Sequence, residues 1–278
     1  MESIAVAFPF DLFGSAGTGA GAQLLVDALR EMLADARRET RPSRSGAYRD
    51  HVRIKEFTFE TLDDLSAWRK CARRAARAGL RADRFVLWLS GNHLGVLPVY
   101  EELGASDGSV VIQWDAHLDI CNLTDCSAAL SHGNFLLHAA GPLPAVVNVG
   151  HRDLFLPADH VRAHYRETFS AIEVAARPDH VAGRLAKLGR AAQRLWVDID
   201  CDVFDPAYFP AVAQPMPFGI APAYLVRVLD ALWSPALCGL SLSEFDPGRD
   251  RHDQSLATLI WLLEWALLRR HENPAPGR

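Results

Sequence analysis

The stretch Val110–Ile120 constrains this chain more than any other part of its sequence. It begins with the apolar run Val110–Trp114 and continues with Asp115, His117 and Asp119 at alternate positions. Alternate side chains of an extended backbone point to the same face, so a carboxylate, an imidazole and a second carboxylate leave the end of one buried strand together. Neighbouring carboxylates repel each other and lose hydration unless a cation lies between them. The stretch therefore indicates a strand that ends in a metal site.

A second acidic strand end follows further along the chain. The predicted strand Leu195–Ile199 continues into Asp200 and Asp202, which also alternate. Asp198 and Asp205 belong to the same alternating series, so spacing alone leaves open which members would bind a cation. Asp198 lies deeper in the strand, where we expect it to bind backbone or a neighbouring helix end. A solvated turn explains one acidic strand end, but two such ends favour a metal site.

His93 and Glu244 also follow predicted strands. His93 comes shortly after the strand Arg84–Leu89, and Glu244 comes directly after Leu237–Ser243. In open α/β sheets the ligand crevice lies beyond the carboxyl ends of the strands. We therefore expect four strands to deliver polar groups to one rim, although His93 alone could equally cap a helix.

Strands and helices alternate along the whole chain. Seven segments predict strands: Ile4–Phe8, Ile54–Phe59, Arg84–Leu89, Val110–Trp114, Ala145–Val149, Leu195–Ile199 and Leu237–Ser243. Helical patterns lie between them, including one long stretch, Leu156–Arg190. The alternation predicts an α/β fold with a mainly parallel sheet that is covered by helices on both faces. No shift of composition marks a linker, so residues 1–278 are expected to form a single domain.

Composition argues against several classes of function. With a formal net charge of −5 the chain shows no basic stripe, so we expect neither a nucleic acid nor a membrane surface as partner. The first residues lack the pattern of a secretory signal. The most apolar run, Leu256–Leu268, is too short to span a bilayer and contains Glu264. The five cysteines match neither a disulfide framework nor a zinc ribbon, which favours a reducing, cytoplasmic location.

Two imidazoles and four carboxylates are candidates for metal binding: His93, His117, Asp115, Asp119, Asp200 and Asp202. Oxygen-rich sets with nitrogen and no thiolate favour Mn²⁺ or a similar hard ion over structural zinc. Two divalent ions balance the charge of four carboxylates, and two ions about 3.5–4 Å apart can share a nucleophilic hydroxide. The residues therefore predict two Mn²⁺ per chain and metal-assisted hydrolysis.

In their order along the chain, these motifs resemble those of the arginase/agmatinase (ureohydrolase) family. That family carries Gly-Gly-Asp-His-Ser, Asp-Ala-His-x-Asp, a downstream His-Gly, Asp-x-Asp-x-x-Asp-Pro and Glu-x-x-Pro. The corresponding segments here are Ser90–Leu94, Asp115–Asp119, His132–Gly133, Asp200–Pro206 and Glu244–Pro247. The first motif is degraded to Ser-Gly-Asn-His-Leu, whereas the second is intact. The Asp-Pro pair that ends the fourth motif identifies the first two acids of that motif as the candidate ligands.

The resemblance implies a three-layer α/β/α sandwich and a division of the ligands between two ions. One Mn²⁺ would be held by His93, Asp115, Asp119 and Asp200. The other would be held by Asp115, His117, Asp200 and Asp202. A hydroxide that bridges the ions would attack a guanidinium carbon, and the products would be urea and an amine.

The resemblance also implies catalytic roles for three side chains. Glu244 would pair with the guanidinium of the substrate, because a carboxylate matches that planar cation. Asp119 would accept the proton of the hydroxide, and His132 would carry a proton between bulk water and the leaving amine. Members of the family commonly form trimers or hexamers, so the resemblance leaves a homo-oligomer open.

Departures from the family pattern concern the substrate. Enzymes for free arginine hold its α-carboxylate with an Asn and a Ser, and Cys121 and Ala128 stand at those positions here. An Asp that helps to hold the α-amino group is replaced by Phe155. Charged ends left unpaired in a pocket cost binding energy. Free arginine is therefore a poor candidate for the substrate.

Two kinds of guanidine substrate remain. An arginine within a peptide has no free ends, which favours a peptide arginase that converts peptidyl-arginine to peptidyl-ornithine, a post-translational modification of peptide natural products. The segments Phe10–Ser15 and Ser131–Phe135 are similar to that branch of the family. An arginine-containing precursor peptide would then be the partner, and Cys121 and Phe155 would contact it. The alternative substrate is a small free guanidine, such as agmatine or a guanidino acid.

Two further classes are more remote. Zinc deacetylases share the fold, but they use one zinc ion and lack the paired Asp pattern. A non-catalytic binding protein would have no need for every candidate ligand that the chain retains.

Overall fold

Eight strands form one sheet in the computed structural model, which describes residues 2–57, 65–81, 84–124 and 129–272. They are β1 (Glu2–Phe8), β2 (Val52–Glu56), β3 (Arg84–Ser90), β4 (Ser109–Trp114), β5 (Ala145–His151), β6 (Glu167–Ser170), β7 (Arg194–Asp200) and β8 (Leu237–Ser243). Their order across the sheet is β2-β1-β3-β8-β7-β4-β5-β6, and every neighbouring pair is parallel. The predicted parallel sheet is confirmed.

Helices cover both faces of this sheet. They are α1 (Thr18–Arg38), α2 (Leu65–Gly79), α3 (Leu97–Gly104), α4 (Ala158–His164), α5 (Ala171–Ala176), α6 (Pro178–Ala191), α7 (Pro222–Leu232) and α8 (Gln254–Glu272). One apolar core lies under α1, α5, α6, α7 and α8, and a second core lies under α2 and α3 on the opposite face. The predicted three-layer α/β/α sandwich is therefore confirmed. None of the helices in these ranges is long and apolar enough to cross a membrane.

The central strands are apolar on both sides because both faces of the sheet are buried. In β3, Phe85, Leu87 and Leu89 enter one core and Trp88 enters the other. The indole nitrogen of Trp88 donates to the carbonyl of Gly95 at 3.1 Å, so this side chain also fixes the turn that follows β3. Its replacement by Ala is expected to lower the free energy of unfolding by about 3–5 kcal/mol.

The helical prediction for Leu156–Arg190 is wrong in one place, because the strand β6 lies within it. This strand has four residues and pairs with β5 alone, at the edge of the sheet. Only Phe169 among its side chains is fully buried, while Glu167 pairs with Arg184 on α6. A single buried side chain gives no alternating pattern, so the sequence carries little signal for this strand.

Four neighbouring strands at the middle of the sheet carry the predicted site residues. β3, β8, β7 and β4 are adjacent and parallel, so their carboxyl ends meet at one edge. His93 follows β3, Glu244 follows β8, Asp200 ends β7 and Asp115 follows β4. The expected crevice is therefore formed by segments that are far apart in the sequence.

Candidate metal centre

The backbone turns sharply where the chain leaves β4 and β8. Asp119 and Glu244 both have positive φ angles, 51° and 61°. Non-glycine residues rarely adopt this left-handed conformation, and it clusters at functional sites. A 2.8 Å hydrogen bond from the Glu244 amide to the carbonyl of Gly91 holds the second turn. Local backbone strain thus accompanies the placement of both carboxylates in the crevice.

One group of side chains surrounds the imidazole of His93. The Nδ1 atom lies 2.8 Å from an oxygen of Asp119, 3.1 Å from one of Asp200 and 3.2 Å from one of Asp115. All four side chains are buried. The other oxygen of Asp200 accepts the amide of Asp202 at 3.0 Å, which orients the carboxylate. These are the four residues predicted to hold one ion.

A second group surrounds the imidazole of His117. Its Nδ1 atom lies 2.9 Å from Asp202 and 3.9 Å from Asp115. Asp115 thus presents one oxygen to each group, as expected for a carboxylate shared by two ions. The remaining oxygen of Asp202 accepts the amide of Ala116 at 3.2 Å. Within the described ranges, the His93 and His117 clusters are also the two that offer metal-binding geometry.

Two carboxylates of this centre, Asp115 and Asp200, have raised pKa values because they are buried beside other acids. Burial raises the pKa of Asp115 to about 8, with a further contribution from the charge of Asp119. Burial also raises the pKa of Asp200 well above its ordinary value, and the charge of Asp202 adds to this. Burial lowers the pKa of His117, but the charge of Asp202 outweighs it and the pKa rises to about 11. A cluster with these shifts is stabilised by added positive charge.

The donor set fits two divalent cations. His93 Nδ1 is buried among carboxylates but makes no well-aligned hydrogen bond to any described residue, so it is oriented as a ligand would be. Oxygen and imidazole donors without thiolate favour Mn²⁺. The structure brings all six predicted ligands together, while ligation itself and the identity of the metal stay predictions.

Asp198 does not make the contacts that were predicted for it. It binds neither backbone nor a helix end: its carboxylate accepts hydrogen bonds from Tyr100 at 2.6 Å and from Ser241, and it lies 2.7 Å from His93 Nε2. The residue is fully buried. Asp198 and Asp200 point to the same face of β7, but His93 is 105 residues away from Asp198 in the sequence, so no local pattern indicates the contact between them.

The two further catalytic candidates contact each other at the edge of the metal centre. One oxygen of Glu244 accepts the amide of His93 at 2.9 Å and lies 3.1 Å from Nδ1 of His132. Burial lowers the pKa of His132, but the hydrogen bond and charge of Glu244 outweigh it and the pKa is raised. Gly14 packs against this ring so closely that a Cβ atom there would lie 2.9 Å from the imidazole and 2.6 Å from Asn92. Through this contact the glycine-rich turn after β1 positions His132.

A pocket of about 360 Å³ opens above these residues. Its inner wall contains four of the predicted ligands, His117, Asp119, Asp200 and Asp202, together with His132 and Glu244. Its outer wall contains Phe13, Asp153, Phe155 and Gln214, of which only Phe155 was predicted. Phe13 and Gln214 belong to loops that approach from distant parts of the chain, so no local pattern marks them. An apolar groove of about 530 Å³ beside Trp261 contains none of the predicted site residues.

Two of the three positions that depart from the family pattern line the pocket. Phe155 and Cys121 are both in its wall, and their predicted contact with the substrate stays a prediction. Cys121 is disulfide-bonded, which the cysteine spacings did not predict. Ala128 lies outside the described residues. The polar anchors for the ends of a free amino acid are thus absent at both positions that the structure describes.

Comparisons with known proteins agree with this geometry. The sequence model of the Arginase family matches residues 2–268. A formimidoylglutamase from Klebsiella pneumoniae is 27% identical over 273 residues, which cover 89% of this chain and 79% of the relative. An N(1)-aminopropylagmatine ureohydrolase from Thermus thermophilus is 27% identical over 197 residues, 68% of this chain and 64% of the relative. The chain spans about half the length of other curated relatives that it matches.

Solved structures show the same fold. The crystal structure of arginase from Bacillus subtilis superposes with a TM-score of 0.75 at 18% identity, and the match covers 96% of this chain and 98% of that chain. The sequence model covers nearly the whole chain, which is sufficient to assign the family. The chain belongs to the arginase family, whose members are metal-dependent hydrolases of guanidino and amidino groups.

Proposed function

We propose that this chain hydrolyses the guanidinium group of an arginine side chain within a peptide, releasing urea and leaving an ornithine residue. Water adds its oxygen to the guanidinium carbon, the bond between that carbon and arginine Nε breaks, and the nitrogen leaves as an amine with the proton it gains. The single observation that supports a peptide as substrate is the presence of Phe155 in the pocket wall. By the resemblance described above, enzymes for free arginine have an Asp at this position.

The inner wall supports the hydrolytic step. Two divalent cations held by the six predicted ligands would supply Lewis acidity that lowers the pKa of a water molecule. Asp119 lies in the pocket wall and is positioned to accept the proton of that water. Glu244 is positioned to bind the guanidinium. His93 and His132 contact one of its oxygens, and no described residue donates a hydrogen bond to the other.

His132 is placed to protonate the leaving amine. Its side chain is 23% exposed, between the buried Glu244 and solvent. Its raised pKa keeps a proton on the ring closer to neutral pH than an ordinary histidine would. The ring can therefore deliver a proton at the leaving nitrogen and regain one from water.

The mouth of the pocket supports a peptide as the carrier of the guanidinium. Phe13 and Phe155 line the pocket and are 50% and 56% exposed, and the neighbouring Leu154 is 93% exposed. A small guanidine would leave these apolar surfaces uncovered, whereas residues flanking an arginine in a peptide would bury them. In the described part of the chain, no lysine or arginine lines the pocket to bind a free carboxylate.

A small free guanidine is the second candidate. Several curated relatives are named for hydrolysis of small guanidines, among them an agmatinase and an N(1)-aminopropylagmatine ureohydrolase. Asp153 lines the pocket, and its carboxylate could pair with the ammonium end of such a molecule. These comparisons favour the second candidate more than the first, and the pocket mouth favours the first.

A matched set of substrates separates the two candidates. The Mn²⁺-loaded chain is incubated with a capped peptide that contains one arginine, with free arginine and with agmatine, and urea is measured. We expect kcat/KM for the capped peptide to exceed that for free arginine by about 100-fold or more. Mass spectrometry of the peptide should show loss of a CH2N2 unit, and the same peptide with lysine in place of arginine should show none.

The outcome for agmatine decides against one candidate. Urea from agmatine without urea from the peptide would contradict the peptide proposal and support the small-guanidine one. Urea from none of the three would contradict both. The Asp119→Asn variant, assayed in parallel, controls for contaminating activity.

A further inference from the structure

Asp198 is the one buried carboxylate of β7 that neither candidate metal group uses. It lies two residues before Asp200 and on the same face of the strand. One of its oxygens contacts His93 Nε2 at 2.7 Å and the Tyr100 hydroxyl at 2.6 Å, and the other accepts the Ser241 hydroxyl. Both oxygens are thus held by groups from three other elements of the fold.

This network determines the orientation of His93. The carboxylate accepts from both hydroxyl groups, and its contact with the imidazole is satisfied when Nε2 carries the ring hydrogen. The lone pair then lies on Nδ1, the atom that faces Asp115, Asp119 and Asp200. The Ser241 hydroxyl is itself fixed by the indole of Trp196 at 2.9 Å, so the carboxylate has little freedom to turn away.

The second candidate group lacks such a support. His117 presents Nδ1 to Asp202, but no described side chain hydrogen-bonds to its Nε2 atom. Its side chain is 24% exposed, whereas that of His93 is 1% exposed. The two halves of the centre therefore have similar ligands but different surroundings.

We propose that Asp198 is a positioning residue that strengthens cation binding at the His93 half of the centre and leaves the His117 half unaffected. A carboxylate behind a ligating imidazole fixes its ring orientation and increases its basicity as a ligand, and removal of such a partner typically costs about 10–100-fold in metal affinity. The two cation positions are therefore supported unequally, and only the His93 position depends on Asp198. The inference concerns metal binding and does not depend on which guanidine is the substrate.

A plain structural role is the alternative that the test must exclude. Asp198 also anchors Tyr100 and Ser241, and the loss of a buried polar anchor could lower stability without any effect on metal. A buried charge is costly unless a positive charge compensates it. A cation bound through His93 would supply that compensation.

The test is a Mn²⁺ titration of the intact chain by calorimetry, with thermal unfolding of each variant as a second measurement. Asp198→Asn keeps the shape but removes the charge and replaces one acceptor oxygen by an NH2 donor. Tyr100→Phe is the matched control, because it removes one hydrogen bond from the same carboxylate oxygen and leaves the contact with His93. We expect Asp198→Asn to weaken one of two binding steps by about 10–100-fold with little change in the other. We expect Tyr100→Phe to change neither step appreciably.

Several results would overturn the proposal. They are unchanged binding in Asp198→Asn, equal weakening of both steps, and a loss of stability with both steps intact. If Asp198→Asn does not fold, Ser241→Ala, which removes the hydroxyl donor to the second oxygen of Asp198, is titrated instead. Weakening of one binding step alone supports the proposal, and unchanged binding or equal weakening of both steps contradicts it.

Discussion

The inner and outer walls of the pocket are built on different principles. The inner wall consists of strand ends, and its ligands are fixed by the positions of β3, β4, β7 and β8 in one sheet. The outer wall consists of loop residues such as Phe13, Phe155 and Gln214, which are exposed to solvent. The sheet therefore fixes the residues of the inner wall, which supply the chemistry. The loops of the outer wall can change the substrate without changing the sheet. Each prediction below tests one side of this difference.

The largest effect is expected from removal of a shared ligand on the inner wall. Asp200→Asn removes a carboxylate that lies 3.1 Å from His93 Nδ1 and is predicted to bind both ions. Metal catalysis contributes several kcal/mol of transition-state stabilisation, so urea release should fall by about 1,000-fold or more. Metal content should fall in the same variant. Asp159→Asn, at an exposed carboxylate, is the control and should retain both.

A smaller effect is expected from the proton carrier between the two walls. His132→Asn should lower kcat by about 100-fold, because general acid catalysis typically contributes 10²–10⁴-fold. The metal content should not change, since His132 belongs to neither candidate metal group. His138→Asn, at the other end of the same 3₁₀ helix (His132–His138), is the control. Loss of metal in His132→Asn would contradict the proposal that His132 transfers protons and takes no part in metal binding.

The outer wall should control the choice of substrate and little else. Phe155→Asp restores the acidic residue that the family pattern has at this position. We expect the ratio of kcat/KM for a capped arginine peptide to that for free arginine to fall by about 10-fold, because a new carboxylate can pair with an α-amino group. Metal affinity should stay the same. An unchanged ratio would show that Phe155 does not select the substrate.

The smallest effect concerns the stability of the metal-free chain. The pKa of Asp115 is about 8 in the folded state against an ordinary 3.8, so between these values the folded state binds more protons than the unfolded state. Stability of the chelator-treated chain should therefore fall as pH rises through this window. The raised pKa of His117, about 11, acts in the same direction at higher pH. Thermal unfolding at several pH values measures this, and Mn²⁺ should remove the dependence.

A metal-free chain whose stability rises across the same pH window would contradict this assignment of the charges. The measurement would then indicate that other buried groups dominate the linkage between proton binding and folding.

The sequence was sufficient to predict the ligands of the inner wall, but it was insufficient to predict most residues of the outer wall. Asp115, His117 and Asp119 alternate within one short segment, so their common face follows from local geometry. The partner of His93 could not be found in that way, because Asp198 is 105 residues away in the sequence. Phe13 enters the pocket through the close approach of Gly14 to His132, which is a property of packing rather than of spacing.

The strand β6 illustrates the same limit at the level of the fold. Only Phe169 among its four residues is fully buried, and the strand is specified by its pairing with β5. Local propensity could not reveal that pairing, because the two strands are separated by α4. Long-range contacts, at the edge of the sheet and at the pocket mouth, are what the one-dimensional patterns omit.

The central claim is that the strand ends form one centre for two cations. Anomalous diffraction from crystals grown with an excess of Mn²⁺ tests it most directly. Two peaks are predicted, one beside His93, Asp115 and Asp200 and the other beside Asp115, His117 and Asp202. A single peak, or peaks outside these two groups, would contradict the account.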